Sequence, residues 1–145
     1  MLNSKEFDAK KVIIFTEFAD TARYLEKNLK EAGFDGLARI DGGSTGKRYD
    51  AVQRFAPYYN STTSARLIED GLKEIRVLIA TDVLSEGLNL QDSTRLINYD
   101  IHWNPVRLMQ RIGRVDRRMD PVVETKLLED YPGLRSDRGK VTFWN

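Results

Sequence analysis

The sequence contains no cysteine and a single histidine, His102. Disulfides, thiolate zinc sites and cysteine catalysis are therefore excluded, and a histidine-based metal site would need several carboxylates around that one imidazole. No apolar run approaches the roughly 20 residues that span a bilayer. The opening stretch from Met1 to Lys11 lacks the apolar core of a secretory signal, so the chain reads as cytoplasmic. An excess of one charge sign is also missing. Lysine and arginine number 23 against 22 aspartates and glutamates, a net charge of +1. That balance excludes the global basic field of a dedicated nucleic-acid binder, so any such contact must come from a local patch or from backbone amides. There is no internal repeat and no low-complexity stretch. A complete phosphate loop is absent too. Gly46-Lys47 has the ending of one, but Asp41 stands where the first glycine is required, and Arg48 follows where a hydroxyl residue should. No Asp-Glu pair closes an apolar strand to hold magnesium.

What is present is a globular composition, 41% hydrophobic and 31% charged over 145 residues, enough for one core. Val12 to Phe15 is a short β-branched and aromatic run and reads as a buried strand. Phe18, Ala22, Leu25, Leu29 and Ala32 then recur at helical spacing, with Gly33 placed to end the helix. Leu37 to Ile40 predicts a second strand, closed by Asp41-Gly42-Gly43. A helix follows from about Thr45 to Ala56 and stops before Pro57. Tyr58 and Tyr59 lie in the next loop. They could stack on bases, but aromatic packing explains them more simply. Ser64 can cap a weaker helix up to Lys73. Arg76 to Thr81 holds the run Val77-Leu78-Ile79-Ala80, which is too uniformly apolar for a one-sided strand and should be central in the sheet. Leu96 to Tyr99 is the next strand. Asn104-Pro105 opens a strong helix, since asparagine caps and proline suits the first position. Pro121 to Lys140 reads partly as loop, and Val141 to Trp144 as a final strand cut short.

Strands separated by helices predict an α/β fold of three layers, with a central, mainly parallel sheet between helices. Chemistry in such folds gathers at the carboxyl ends of the strands. The loops after Phe15, Ile40, Ala80 and Tyr99 are the places to look.

The helix opened by Pro105 carries the functional argument. At 3.6 residues per turn, Gln110, Gly113, Arg114 and Arg117 share one face, and Leu108, Ile112, Val115 and Met119 share the other. The apolar stripe can lie on the sheet while a glutamine and two arginines point away. Arginine stays charged and donates paired hydrogen bonds, which suits it to phosphate. A mid-helix glycine costs about 1 kcal/mol relative to alanine, and the close approach of another backbone or a ligand would offset that cost. On charge alone, a solvated arginine-rich surface is the better explanation of the helix, and the defined Gln-Gly-Arg-Arg face and proline-capped start weigh against it.

The run Gln110-Arg111-Ile112-Gly113-Arg114-Val115-Asp116-Arg117 resembles motif VI of superfamily-two helicases. The lead-in, Asn98-Tyr99-Asp100 and Trp103-Asn104-Pro105, resembles the Swi/Snf branch, especially the bacterial RNA-polymerase-associated ATPase type. Thr81-Asp82-Val83-Leu84-Ser85-Glu86-Gly87-Leu88-Asn89-Leu90 resembles motif V, and Phe15-Thr16-Glu17-Phe18 resembles motif IV. Gly42-Gly43-Ser44, with Arg48 and Phe55 downstream, resembles the loop and helix that grip one strand in these motors. The resemblance implies the second, C-terminal RecA-like domain of an ATP-dependent helicase or DNA translocase. It implies that Arg114 and Arg117 contact the terminal phosphates of ATP, with Arg117 the foremost finger. Gln110, Gly113, Gly87 and Asn89 would line the cleft, and Thr16, Thr81, Gly42, Gly43 and Arg48 would meet the nucleic-acid backbone. ATP and magnesium would sit mainly on an N-terminal RecA-like domain of the same protein, so this stretch is expected to be part of a longer chain. The implied track is nucleic acid, double-stranded DNA foremost. The alternative is a domain of the same fold that binds nucleic acid or docks a protein without a part in hydrolysis.

Overall fold

A computed structural model describes residues 10–43, 47–82 and 88–145. Five strands form one parallel sheet: β1 (Val12–Thr16), β2 (Leu37–Ile40), β3 (Val77–Thr81), β4 (Arg95–Asn98) and β5 (Thr142–Trp144), in spatial order β2-β3-β1-β4-β5. Between them run α1 (Ala19–Glu31), α2 (Arg48–Phe55), α3 (Ser64–Glu69), α4 (Pro105–Val115) and α5 (Pro121–Asp130). β1 and β3 are buried at every position, as their near-continuous apolar runs require. Alternate residues of these strands serve opposite faces. Val12, Ile14, Val77 and Ile79 pack on one side with Ala22 of α1. Ile13, Phe15, Leu78, Ala80 and Leu96 pack on the other with Val52 and Phe55 of α2 and Val115 of α4. The three-layer α/β architecture is therefore present.

Local chemistry sets the boundaries. α1 ends in a Schellman closure. Gly33 takes φ +81°, its amide donates to Lys30, and Phe34 N reaches back to the Leu29 carbonyl. α3 is capped by the Thr63 hydroxyl, which accepts from Arg66 N, rather than by Ser64. It stops at Glu69 instead of Lys73, because Gly71 at φ +71° closes it the same way. The fourth strand begins at Arg95 and ends at Asn98, one residue earlier than its apolar pattern suggests. The described part of the second helix starts at Arg48, and Thr45 lies outside the described residues.

The largest departure is α5, a ten-residue helix in a segment read partly as loop. Asp120 caps it by accepting from Val122 N and Val123 N, and Pro121 takes its first turn. This is the device that opens α4, where Asn104 accepts from Val106 N ahead of Pro105. Sheet order places the site. The chain leaves β1 toward β2 on one side and leaves β4 toward β5 on the other, and β1 and β4 are neighbours. Their carboxyl ends thus flank a topological switch point, where open α/β sheets form their crevice.

Candidate functional site

The loops leaving β1 and β4 are tied together at that switch point. The Asp100 carboxylate accepts a short hydrogen bond from Thr16 Oγ1 and bonds of 2.8 and 3.0 Å from Glu17 N. α4 then drives an arginine into the cluster. Arg111, only 3% exposed, grips Asp82 side-on, Nε to Oδ1 at 2.7 Å and Nη2 to Oδ2 at 3.1 Å. Its Nη1 lies 3.4 Å from both Asn98 Oδ1 and the Asp100 carbonyl, and its guanidinium sits 5.7 Å over the Phe15 ring. Arg107 adds a 3.3 Å contact to Asp82. One buried guanidinium thereby fastens α4 to the ends of β1, β3 and β4.

Burial pushes the Asp82 carboxyl upward, but the hydrogen bonds and charge of Arg111, joined by Arg107, outweigh it and hold the group below its usual range. A depressed folded value contributes stability that is full above the ordinary aspartate value of about 3.9 and is lost as pH falls through the folded value. The urea midpoint is expected to drop on acidification from about pH 6 to about pH 3, and Asp82→Asn should make that drop shallower. An unchanged pH profile in the variant would remove Asp82 from the account.

α4 divides its residues much as its spacing predicts. Ile112 and Val115 pack toward the core, Gln110 and Gly113 are exposed, and Arg114 is half-buried. A Cβ on Gly113 would meet nothing within 4 Å, so the space above the helix there is open. Among the described residues, Arg114 has no hydrogen-bond or ion-pair partner. Arg117 requires a correction. The helix ends at Val115, with Asp116 as its C-cap, so Arg117 does not continue the Gln110–Arg114 face. The chain must turn there to present Asp120 as the cap of α5. Arg117 is exposed and donates from Nη1 to Asn89 Oδ1 at 3.1 Å, which brings two of the cleft candidates together by a different route.

The residues expected on nucleic acid fare unequally. Thr16 has no exposed surface and its hydroxyl is committed to Asp100, so it positions a loop and does not reach a ligand from this conformation. Thr81 is 4% exposed, and its hydroxyl has no partner among the described residues. Gly42 and Gly43 are exposed, although Gly43 N already donates to Asp41 Oδ1 at 3.0 Å. Arg48 opens α2 with a buried Nε that has no acceptor among the described residues. Ser44 and Gly87 lie outside the described residues. Tyr58 and Tyr59 are spent on packing: their hydroxyls donate to Asp130 and, at 2.6 Å, to Glu124 of α5.

Two features escaped the sequence reading. Arg111 sits three residues after Leu108 and four before Val115, so helical spacing alone points it inward. The second is the stretch before α4, which alternates inside-out. Asp100 and His102 face inward, while Tyr99, Ile101 and Trp103 are 51%, 69% and 86% exposed. His102 Nδ1 accepts from Asn104 N at 2.9 Å, its Nε2 lies 3.5 Å from Glu17 Oε1, and its ring stacks on Trp103. Among the described residues, no cluster of His, Asp and Glu could hold a metal ion, and no helix is long and apolar enough to cross a membrane.

A five-stranded parallel sheet in the order β2-β3-β1-β4-β5, with helices on both faces, is a RecA-like α/β domain. Two solved structures share this fold. The C-terminal part of the Fun30 ATPase domain aligns with a TM-score of 0.62 at 19% identity, covering 99% of this chain and 40% of that one. The E. coli DEAD-box protein SrmB, bound to regulator of ribonuclease activity A, aligns at 0.58 and 21%, covering 99% of this chain and 78% of that one. The chain belongs to the helicase conserved C-terminal domain family, whose model matches residues 2–119. Among its curated relatives are the uncharacterized ATP-dependent helicase YqhH of Bacillus subtilis, 39% identical over 107 residues, which cover 74% of this chain and 16% of the relative. The RNA polymerase-associated protein RapA of Vibrio campbellii is 35% identical over 114 residues, 78% of this chain and 10% of the relative. The putative ATP-dependent DNA helicase fml2 of Schizosaccharomyces pombe is 29% identical over 140 residues, 97% of this chain and 17% of the relative. The chain thus spans 10% to 17% of these relatives' lengths.

Proposed function

We propose that this domain is the second motor domain of an ATP-dependent helicase or DNA translocase. On this reading, Arg114 and Arg117 complete an ATP site whose phosphate and magnesium ligands lie on an N-terminal RecA-like domain of the same protein. Gln110, Gly113, Asn89 and Gly87 line the cleft. Thr81, Gly42, Gly43 and Arg48 hold the nucleic-acid backbone without reading sequence, and Thr16 acts behind them by positioning. The exposed Trp103 offers a face on which a base can stack. The track is double-stranded DNA, along which the domain pair moves as the cleft closes on ATP and opens after hydrolysis.

The observation that carries this reading is the contrast within α4. Arg107 and Arg111 are paired to Asp82. Arg114, half-buried in the last turn of the same helix, is left without a carboxylate among the described residues. An arginine with no counter-charge among the described residues, held on a helix, is suited to stabilise charge developing on a transferred phosphoryl group. The described residues fit half of such a site, a charge donor with no carboxylate or histidine cluster for a metal ion among them. When bound, ATP would supply the phosphoryl group, and Arg114 and Arg117 would neutralise its developing charge and close the cleft.

The direct test divides the intact protein. Nucleic-acid-stimulated ATP turnover is expected only when both domains are present, and the 145-residue chain should show none alone. Undiminished turnover in a protein lacking this domain would refute a role in hydrolysis and favour the docking alternative.

A further inference from the structure

The opposite rim of the sheet holds a cavity that the motor reading does not use. Its volume is about 250 Å³, and it opens where β1, β3 and β4 begin, beneath α5. Five cations line it: Lys10, Lys11, Arg76, Arg95 and Arg138, against two lining carboxylates, Glu74 and Asp92. Neighbouring carboxylates offset part of this charge. Arg138 is bound to Glu124, and Lys11 to Glu74 with Asp92 3.8 Å away. At the other end the described residues hold more cations than carboxylates. Lys10 and Arg95 share one carboxylate, Asp137, at 2.9 and 3.2 Å.

Arg95 is the telling residue. It is 5% exposed, it lines the cavity, and its Nε has no acceptor among the described residues. A buried donor left without an acceptor is a destabilising feature that a native fold keeps only at specific places. An anionic head beside the Arg95 guanidinium and Lys10 would offset the excess of cations over carboxylates among the described residues. The remaining wall is apolar. Leu127 is 2% exposed, Leu134 is half-buried, and Tyr131 stands edge-on to Tyr58 with ring centres 6.3 Å apart. A concave apolar wall with a few convergent charges is the usual make-up of a small-molecule site.

We propose that this cavity binds a small amphipathic carboxylate, its acid head on Arg95 and Lys10 and its aromatic or branched body against Leu127, Tyr131 and Leu134. The site lies at the amino ends of the strands, away from the Asp82–Arg111 cluster, and does not depend on the motor assignment. Inorganic phosphate carries the charge without the body, and an aryl alcohol the body without the charge, so each misses half of what the cavity offers.

The probes are naphthalene-2-carboxylate, naphthalene-2-methanol and inorganic phosphate, titrated calorimetrically into the 145-residue chain. The carboxylate is expected to bind one site with Kd on the order of 10⁻⁴ M, and the alcohol and phosphate at least ~10-fold more weakly. Arg95→Met should weaken the carboxylate by more than ~10-fold. Because that variant also loses the Asp137 contact, Leu134→Trp provides a second arm. It fills the cavity from a half-buried wall and should abolish binding with thermal midpoint and circular dichroism retained. Absence of saturable carboxylate binding, equal affinity for the alcohol or phosphate, or binding that survives Leu134→Trp in folded protein would each overturn the proposal.

Discussion

Replacing Arg114 by alanine in the intact protein is expected to lower kcat for ATP by on the order of 10³-fold while leaving nucleic-acid affinity mostly unchanged. The magnitude follows from what an arginine contributes to phosphoryl transfer: a fixed positive charge, held where charge develops, with little reorganisation at the moment of reaction. Stability should barely change. Arg114 has no ion-pair partner among the described residues, so its removal strands no buried carboxylate there, and surface changes of this kind cost little. Arg117→Ala is expected to cause a loss of similar size. Its guanidinium leans on Asn89 Oδ1 at 3.1 Å, a neutral acceptor, and has no carboxylate partner among the described residues. The measurement is steady-state turnover at saturating nucleic acid, with binding followed by fluorescence anisotropy and folding by urea titration. If both variants turn over ATP at the parental rate, the arginines are not fingers. If binding collapses with turnover, they contact nucleic acid instead.

The fold was legible because its strongest signals are local. β1 and β3 are unbroken apolar runs, and only a sheet covered on both faces can bury such runs. Asn104-Pro105 and Gly33 declare helix ends through their own backbone chemistry. α5 carried the same signature in Asp120-Pro121, but its pattern is faint. Leu127 is its one fully buried residue and Val122 is 79% exposed, so the stripe that identifies an amphipathic helix hardly exists. The site was legible in outline only. Periodicity gave α4 its inward and outward faces, but counting on through Asp116 carried Arg117 onto a helix that had ended. Thr16 shows a second limit. A hydroxyl at a strand's carboxyl end reads as a ligand contact, and nothing local reveals that Asp100, 84 residues away, will bury and engage it. The same holds for Arg111, whose partner Asp82 lies 29 residues upstream across the sheet. Residues that meet only through tertiary structure leave little trace in spacing.

Arg111→Met is expected to destabilise the 145-residue chain by about 2–3 kcal/mol, read as a fall in the urea midpoint near neutral pH. Removing one partner of a buried pair typically costs 3–5 kcal/mol, because it leaves the other charge uncompensated. The figure here is reduced for two reasons: the Asp82 side chain is 26% exposed, and Arg107 still reaches it at 3.3 Å. Methionine fills comparable space over Phe15, so little of the loss comes from packing. Arg111→Lys should recover only a fraction, since an ammonium cannot reproduce the paired grip on Asp82 while also reaching Asn98 and the Asp100 carbonyl. Asp82→Asn alone should cost less than Arg111→Met. The double variant should fall short of the sum by about 1 kcal/mol or more, the coupling expected of groups in direct contact. Additive losses, or a methionine variant as stable as its parent, would dissolve the clamp. If the coupling is found, it bears on the motor as well. The helix that carries Arg114 and the strand ends that carry Thr81 and Asp100 are fastened through one guanidinium, so on the proposed motor reading a displacement at those strand ends would be passed to Arg114.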